Sequence, residues 1–530
     1  MKARPFLAAV LAVAMALLGL GSAGWWALWQ RGPLALQHQP LHVPLAARFV
    51  PRTAPLSVHW LLDPDQPAAY ARAVAPPRLR REAAGAADRL RDGAFAAAGL
   101  DYSTELASWL GGESSFALLT PAAAEQPPGW VLALRSRDSE GARRFLQRFW
   151  QSRSLAGTDL QITSYRGMGL ISGRGALLGQ PSQPLATALI NDDLVLIASG
   201  RGVLEQALDV SQIDELNQAR SPSLQQAVAR LEHGVALLTA RPQAMERWLG
   251  LPASAQDTPA ALELVAALAP QQAGLQLEAL AQLRNPLPPL PAPADGLLQQ
   301  LQSSAASLVL LSQPADLLDA DGDGWAPVLQ PLLKRALEQA SGALPSLVAA
   351  ADHGSLLWAS SADGWLLGTR PDQPPLEAVD AALAAQGYSG AALQSRGLDL
   401  QVWTRLESRP VRGNPDQLQA TLAGARVVQN GWAWWGQGLA VLNRQAEGHQ
   451  RPQQRLDQLE ALGTPEAPFQ WAMNGNTAQQ LLDHWQPWRL LSTLSSTAFT
   501  PMVDGAAMSL DADEEAADRL HLQARLHLHG

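Results

Sequence analysis

The stretch Asp319-Ala-Asp-Gly-Asp-Gly324 sets three carboxylates at alternate positions ahead of a glycine, the donor pattern that opens a calcium loop. Such a loop takes oxygens from the side chains at positions 1, 3 and 5 and the carbonyl at 7. Glycine at 6 allows the turn, and a bidentate Glu at 12 closes the shell. Asp319, Asp321, Asp323, Gly324 and the Trp325 carbonyl fit this scheme. Gln330 stands at position 12 and Pro327 at 9, and Pro314 interrupts the segment where an entering helix belongs. No cofactor is expected, with calcium the possible exception, in a weak site completed by water or another loop. An acidic glycine turn is the simpler reading.

The C-terminal run Arg519-Leu-His-Leu-Gln-Ala-Arg-Leu-His-Leu-His529 puts His521, His527 and His529 on one side of a strand and leucines on the other. Two such imidazoles are close enough to share a metal, yet no carboxylate lies beside them in the sequence, so the pattern reads as the wet face of a terminal strand. Asp192-Asp193 and Glu514-Glu515 fall in turns and read as solvated. The chain contains no GxSxG elbow, no HExxH and no phosphate-binding GxxxxGK[ST]. Tyr165-Arg-Gly-Met-Gly-Leu-Ile-Ser-Gly-Arg-Gly175 lacks the strand-to-helix setting of a nucleotide loop. Tryptophan is abundant, 18 residues, and clusters at Gly431-Trp-Ala-Trp-Trp-Gly436, where Trp432 and Trp434 share one face and Trp435 takes the other. Core packing is the expected role.

Composition narrows the classes further. A chain of 530 residues exceeds one ordinary core. Its net charge of −9 opposes a nucleic-acid partner. The local run Arg78-Leu-Arg-Arg81 reads as the solvated side of a helix. Cysteine is absent, which removes disulfides, thiol catalysis and cysteine-bound zinc.

Residues 6–29, FLAAVLAVAMALLGLGSAGWWALW, carry no charge and would span roughly 36 Å as a helix. Lys2 and Arg4 precede the run, so the remainder is expected on the far side of the membrane. Gly21-Ser-Ala23 offers small residues for cleavage, but apolar character continues through Trp25, Trp26 and Trp29, so an uncleaved anchor is expected. The membrane is thus the first partner, through residues 6–29, with one span and the bulk of the chain in a periplasm or thylakoid lumen.

Beyond the anchor, one order of elements occurs twice around the proline-rich stretch at 284–296, RNPLPPLPAPADG, which favours an extended spacer. An apolar strand meets Asp63-Pro64 in one copy and Pro314 in the other. Residues 113–120 and 129–150 match 353–361 and 364–383, and the second segment of each pair is a strand entered through Gly-Trp and then a helix opened by Asp138 or Asp372. LQITSY at 160–165 matches LQVWTR at 400–405. The hairpin at 186–199, turning at Asn191-Asp-Asp193, matches 426–442, turning at Asn430-Gly431. Residues 233–249 match 467–485, and alternating strands at 274–283 and 517–528 close the copies. The expected architecture is α+β, a duplicated unit of mainly antiparallel or mixed sheet with helices packed on one face. The divisions are 1–30 anchor, 31–283 first unit, 284–296 linker and 297–530 second unit.

At FVPRTAPLSVHWLLDP, GLDYSTELASWLGGESSFALL and WVLALRSRDSEGARRFLQRFW the sequence resembles an uncharacterised family common in cyanobacteria, domain of unknown function 3352. The shared motifs are structural, including the Trp109-Leu110-Gly111 turn, and bring no functional residues with them. The resemblance implies a membrane-tethered envelope or thylakoid protein. The expected function is a binding or scaffolding module outside the cytoplasm with a protein or lipid partner. A carrier of an apolar ligand, lipid or pigment, is the alternative, and a hydrolase a third.

Overall fold

The computed structural model describes residues 32–120, 128–153, 160–177, 182–249, 261–272, 274–294, 296–318, 325, 329, 342–351, 353–411, 414–448, 451–494, 502–513 and 515–529. The expected anchor at 6–29 and the carboxylates Asp319, Asp321 and Asp323 lie outside the described residues. Among the described residues no helix is long and apolar enough to cross a membrane.

Among the described residues twenty strands form one sheet. The first ten are β1 (Leu56–Trp60), β2 (Leu110–Leu119), β3 (Gly129–Ser136), β4 (Gln161–Tyr165), β5 (Met168–Ala176), β6 (Ser182–Ile190), β7 (Leu194–Ala198), β8 (Ala236–Ala240), β9 (Ala261–Gln271) and β10 (Gly274–Leu283). Those after the proline-rich stretch are β11 (Ser307–Leu311), β12 (Leu356–Ser361), β13 (Gly364–Thr369), β14 (Ser389–Ser395), β15 (Leu398–Val411), β16 (Asn414–Gln429), β17 (Trp432–Gly436), β18 (Phe469–Asn474), β19 (Val503–Asp513) and β20 (Ala516–Leu528).

Every pairing is antiparallel. The order across the first ten is β4-β5-β6-β7-β3-β2-β1-β8-β9-β10. From the opposite edge the others run β14-β15-β16-β17-β13-β12-β11-β18-β19-β20, the same order with each number raised by ten. The two runs meet where β10 pairs with β20, from Gly274 opposite His527 to Gln282 opposite Arg519. β20 is therefore a central strand, not the wet terminal strand expected from its alternation.

Turn chemistry explains the hairpins. Asn430-Gly431 adopts φ of 53° and 79°, and Asn191 and Asp192 adopt 48° and 62°, the positive values a tight primed turn needs. Arg166-Gly167 at 52° and 82° and Arg396-Gly397 at 52° and 79° make the same turn between β4 and β5 and between β14 and β15. LQVWTR at 400–405 thus belongs to β15, the counterpart of β5, and not to the counterpart of LQITSY in β4. The helix expected at Asp372 starts at Leu376 after Pro375, and the one expected at Asp63-Pro64 starts at Gln66. Asp138 does accept the Glu140 N–H at 3.1 Å ahead of helix Ser139–Arg153. The strand pattern expected to 442 gives way at Leu439 to helix Leu439–Glu447.

Helices cover both faces, which corrects the one-face expectation. Phe145, Leu146, Phe149 and Trp150 of helix Ser139–Arg153 pack on Leu132, Leu134, Val195 and Ile197. Leu204, Ala207 and Leu208 of helix Arg201–Ser211 pack on the other side, against Val131, Ala133, Leu194 and Leu196. All five residues of β7 are accordingly buried, and its unbroken apolar run is the signature of a strand covered twice. The same arrangement leaves Trp434 and Trp435 on opposite faces, each 1% exposed.

The proline-rich stretch is a docked strap. Leu287 is buried and its N–H donates to the Ala517 carbonyl at 2.7 Å, while the Pro288 carbonyl accepts from Trp325 Nε1 at 3.0 Å.

Candidate functional site

The joint between β10 and β20 has two chemically unlike faces, because both strands alternate and their register sets apolar residues opposite apolar ones on one side; Leu280, opposite His521, is the exception on the other. Leu275 lies opposite Leu526, Leu277 opposite Ala524 and Ala279 opposite Leu522. The next strands outward continue the apolar face, with Leu268 opposite Leu277 on β9 and Met508 opposite Ala524 on β19. Leu264, Leu268, Leu275, Leu277, Met508, Leu522, Leu526 and Leu528 are all only half-buried. On β20 the half-buried row from Leu522 to Leu528 extends about 20 Å, while Ala279, Ala281 and Leu283 of β10 are buried in the core.

Three helices lie over this face: Pro242–Leu249, Gly475–Asp483 and Gln486–Leu494. Their contacts span the joint. Trp485 Nε1 donates to the Leu249 carbonyl at 2.7 Å, and Gly93 of helix Arg80–Ala97 gives Leu494 room, since a Cβ there would overlap the Leu494 carbonyl. Ala478 and Trp488 reach the core, but Leu481 and Leu490 stay 47% and 55% exposed, and Trp60 at the end of β1 is 38% exposed. Leucines that a complete core would bury are thus left partly uncovered between sheet and helices.

The opposite face of the joint is polar. His521 Nε2 lies 2.7 Å from Glu278 Oε1 on the adjacent strand, and His529 Nδ1 is 3.8 Å from Asp504. Pairing therefore supplies the carboxylates that the local sequence lacks. Asp513, its side chain wholly buried, accepts from Arg519 at 3.0 Å and faces Arg230 at 3.6 Å. Among the described residues no three His, Asp or Glu side chains converge as metal ligands.

One cluster escaped the sequence reading. Ser57 and His59 alternate on β1, and His59 Nε2 is 3.0 Å from Ser57 Oγ while Nδ1 is 2.8 Å from Ser115 Oγ. Ser57 also meets Thr239 Oγ1 at 2.7 Å and donates to Gln218 Oε1 at 3.0 Å. A serine beside an imidazole is the start of a hydrolase, but the second ring nitrogen faces a hydroxyl instead of a carboxylate, and the ring is 0% exposed. Burial pushes the His59 pKa down to about 4, against a weaker opposing pull from Gln218. The cluster is a satisfied polar core with no path for substrate. The alternating Ser-x-His of a strand was its one local signal.

The remaining sequence candidates are spread apart. Asp192 pairs with Arg143 at 2.6 Å in its hairpin turn, and Arg78, Arg80 and Arg81 are exposed at the start of helix Arg80–Ala97.

Fold and site together define an antiparallel α+β protein with an apolar face at its centre and no catalytic constellation among the described residues. The chain belongs to the family described as "Protein of unknown function (DUF3352)", whose model matches residues 10–496. No curated protein matches. Among solved structures it is similar to three of TP0453. Crystal form III has 10% identity, covering 50% of this chain and 89% of that one, with a TM-score of 0.28. Form I has 10% identity over 45% and 79% at 0.27, and form IV 9% over 47% and 83% at 0.26.

Proposed function

We propose that the protein binds the apolar part of a lipid-like ligand against the leucine face of the β10–β20 joint, beneath helices Pro242–Leu249, Gly475–Asp483 and Gln486–Leu494. The single observation that carries this reading is the row of half-buried leucines shared by β10 and β20. On β20 the row runs about 20 Å, which suits an extended hydrocarbon chain. A rigid apolar slot with few polar groups is the usual form of such a site.

We further propose that the body is a duplicated unit, supported by the shared strand order, and that residues 6–29 hold it to a membrane with the bulk of the chain outside the cytoplasm. The ligand would then be drawn from, or delivered to, that membrane. The scaffold reading is secondary because the apolar face lies between layers and not on an outer surface. The hydrolase reading has no support at Ser57 and His59.

The test is displacement of a fluorescent fatty-acid probe from the full-length protein in mild detergent, with solvent extraction and mass spectrometry of natively purified material. Leu526→Asn removes an apolar side chain worth about 1.5–3 kcal/mol of burial and should weaken the probe about ten- to a hundredfold. A wild-type protein that copurifies with no lipid or pigment and takes up no probe would end the proposal.

A further inference from the structure

We propose that the polar face of the same joint carries a second, separate site, for a phosphate-type oxyanion, built from Arg455, Gln458, Arg525 and His527. Arg525 and His527 alternate on β20 and so emerge on one face, about 7 Å apart along the strand. In register His527 lies opposite Gly505 on β19 and Gly274 on β10. Neither neighbouring strand therefore sets a side chain beside the imidazole.

Helix Gln453–Leu462 lies across β18 and β19 on this face. Gln458 descends so far toward Gly505 that a Cβ there would come within 2.2 Å of its amide nitrogen. Arg455 precedes it by one turn on the same side, 3% exposed, and its Nη1 has no hydrogen-bond partner. Gln458 Oε1 and His527 Nε2 are buried without partners as well. Arg525 reaches only Gln276 Oε1 among the described residues, at 3.4 Å. Arg455 Nη1 and a protonated His527 Nε2 are open donors that a multi-oxygen anion would satisfy, whereas the Gln458 amide must turn its nitrogen to it.

The charges agree. Arg455 and Arg525 face His527 with Asp504 as the opposing carboxylate, and Asp504 is also approached by His529 at 3.8 Å. His527 is held below the ordinary histidine value by burial first, then by Arg525 and Arg455, with Asp504 pulling the other way. Burial likewise lowers Arg455, again opposed by Asp504. A bound anion reverses the penalty on both cations.

The test uses full-length protein in detergent with ¹³C-labelled histidine, its His527 signal assigned by His527→Gln. Millimolar inorganic phosphate should raise the His527 pKa by about one unit or more. Arg455→Met and, independently, Arg525→Gln should weaken that response at least about tenfold while thermal unfolding confirms the fold. Vesicles of phosphatidate in phosphatidylcholine form a second arm. Binding lost in Arg455→Met there identifies a lipid headgroup, whereas a response to free phosphate alone identifies a soluble ligand. A His527 titration unmoved by phosphate together with vesicle binding indifferent to Arg455 overturns the site. Neither arm reads the leucine face, so this result and the probe displacement fail separately.

Discussion

Acid should weaken this protein in part through the imidazole of His59. His59 is fully enclosed, with hydroxyls of Ser57 and Ser115 on its two nitrogens, an arrangement that suits the neutral ring because a hydroxyl either donates or accepts. Protonation would place a charge in that core. The folded-state pKa of about 4 against 6.5 for the free side chain means that the unfolded chain binds the extra proton between pH 6.5 and 4. Stability therefore falls as pH drops through that window, and the contribution is intact above 6.5. At about 1.4 kcal/mol per unit the loss reaches about 3 kcal/mol near pH 4. Denaturant midpoints of wild type and His59→Gln, followed by tryptophan fluorescence at pH 7, 5.5 and 4, isolate it, because other titrating groups cancel in the difference. At pH 7 the variant should be less stable by about 1–3 kcal/mol, since a buried serine loses its partner. By pH 4 that difference should vanish or reverse. Parallel profiles for the two proteins would refute the assignment.

Asp513→Ala should lower stability by about 3 kcal/mol in thermal unfolding, because it strips the partner from Arg519 and Arg230 at a carboxylate with no solvent access; an unchanged midpoint would show that the joint does not depend on it. Calorimetric titration with calcium should give no saturable heat below the millimolar range, given Gln330 and Pro327 at ligand positions; heat that disappears in Asp321→Ala would restore the loop as a calcium site.

Much of the fold was legible because its signals are local. Period-two alternation located β10 and β20, and Asn430-Gly431 fixed its hairpin to the residue. Arg166-Gly167 and Arg396-Gly397 were equally legible turns, and reading them as a matched pair would have aligned β4 with β14 and kept 400–405 in its place. Helices on both faces were written in the buried Leu194–Ala198, which has no polar alternation at all. The site was not legible for a different reason. The register of β10 on β20 brings together residues more than 200 positions apart, and only that register turns two ordinary amphipathic strands into one apolar face and one polar one. The carboxylate partner of His521 and the glycines flanking His527 are likewise properties of pairing, with no trace in the sequence near either histidine.

The proline-rich strap is what makes that pairing available. Had a tight turn followed Leu283, the next strand would have taken the free edge of β10, as consecutive strands commonly do. Thirteen residues at 284–296, rich in proline and extended, reach roughly 40 Å. β11 lies four strand spacings from β10, with β20, β19 and β18 between them, about 19 Å away across the sheet. The strap has length to spare for that distance and for the change of level at which Leu287 docks beside Ala517. Proline also withholds N–H donors, so the strap itself cannot occupy the edge as a strand. The edge of β10 thus stays open until the last strand of the chain arrives, and both faces of the joint come into being only when β20 closes it.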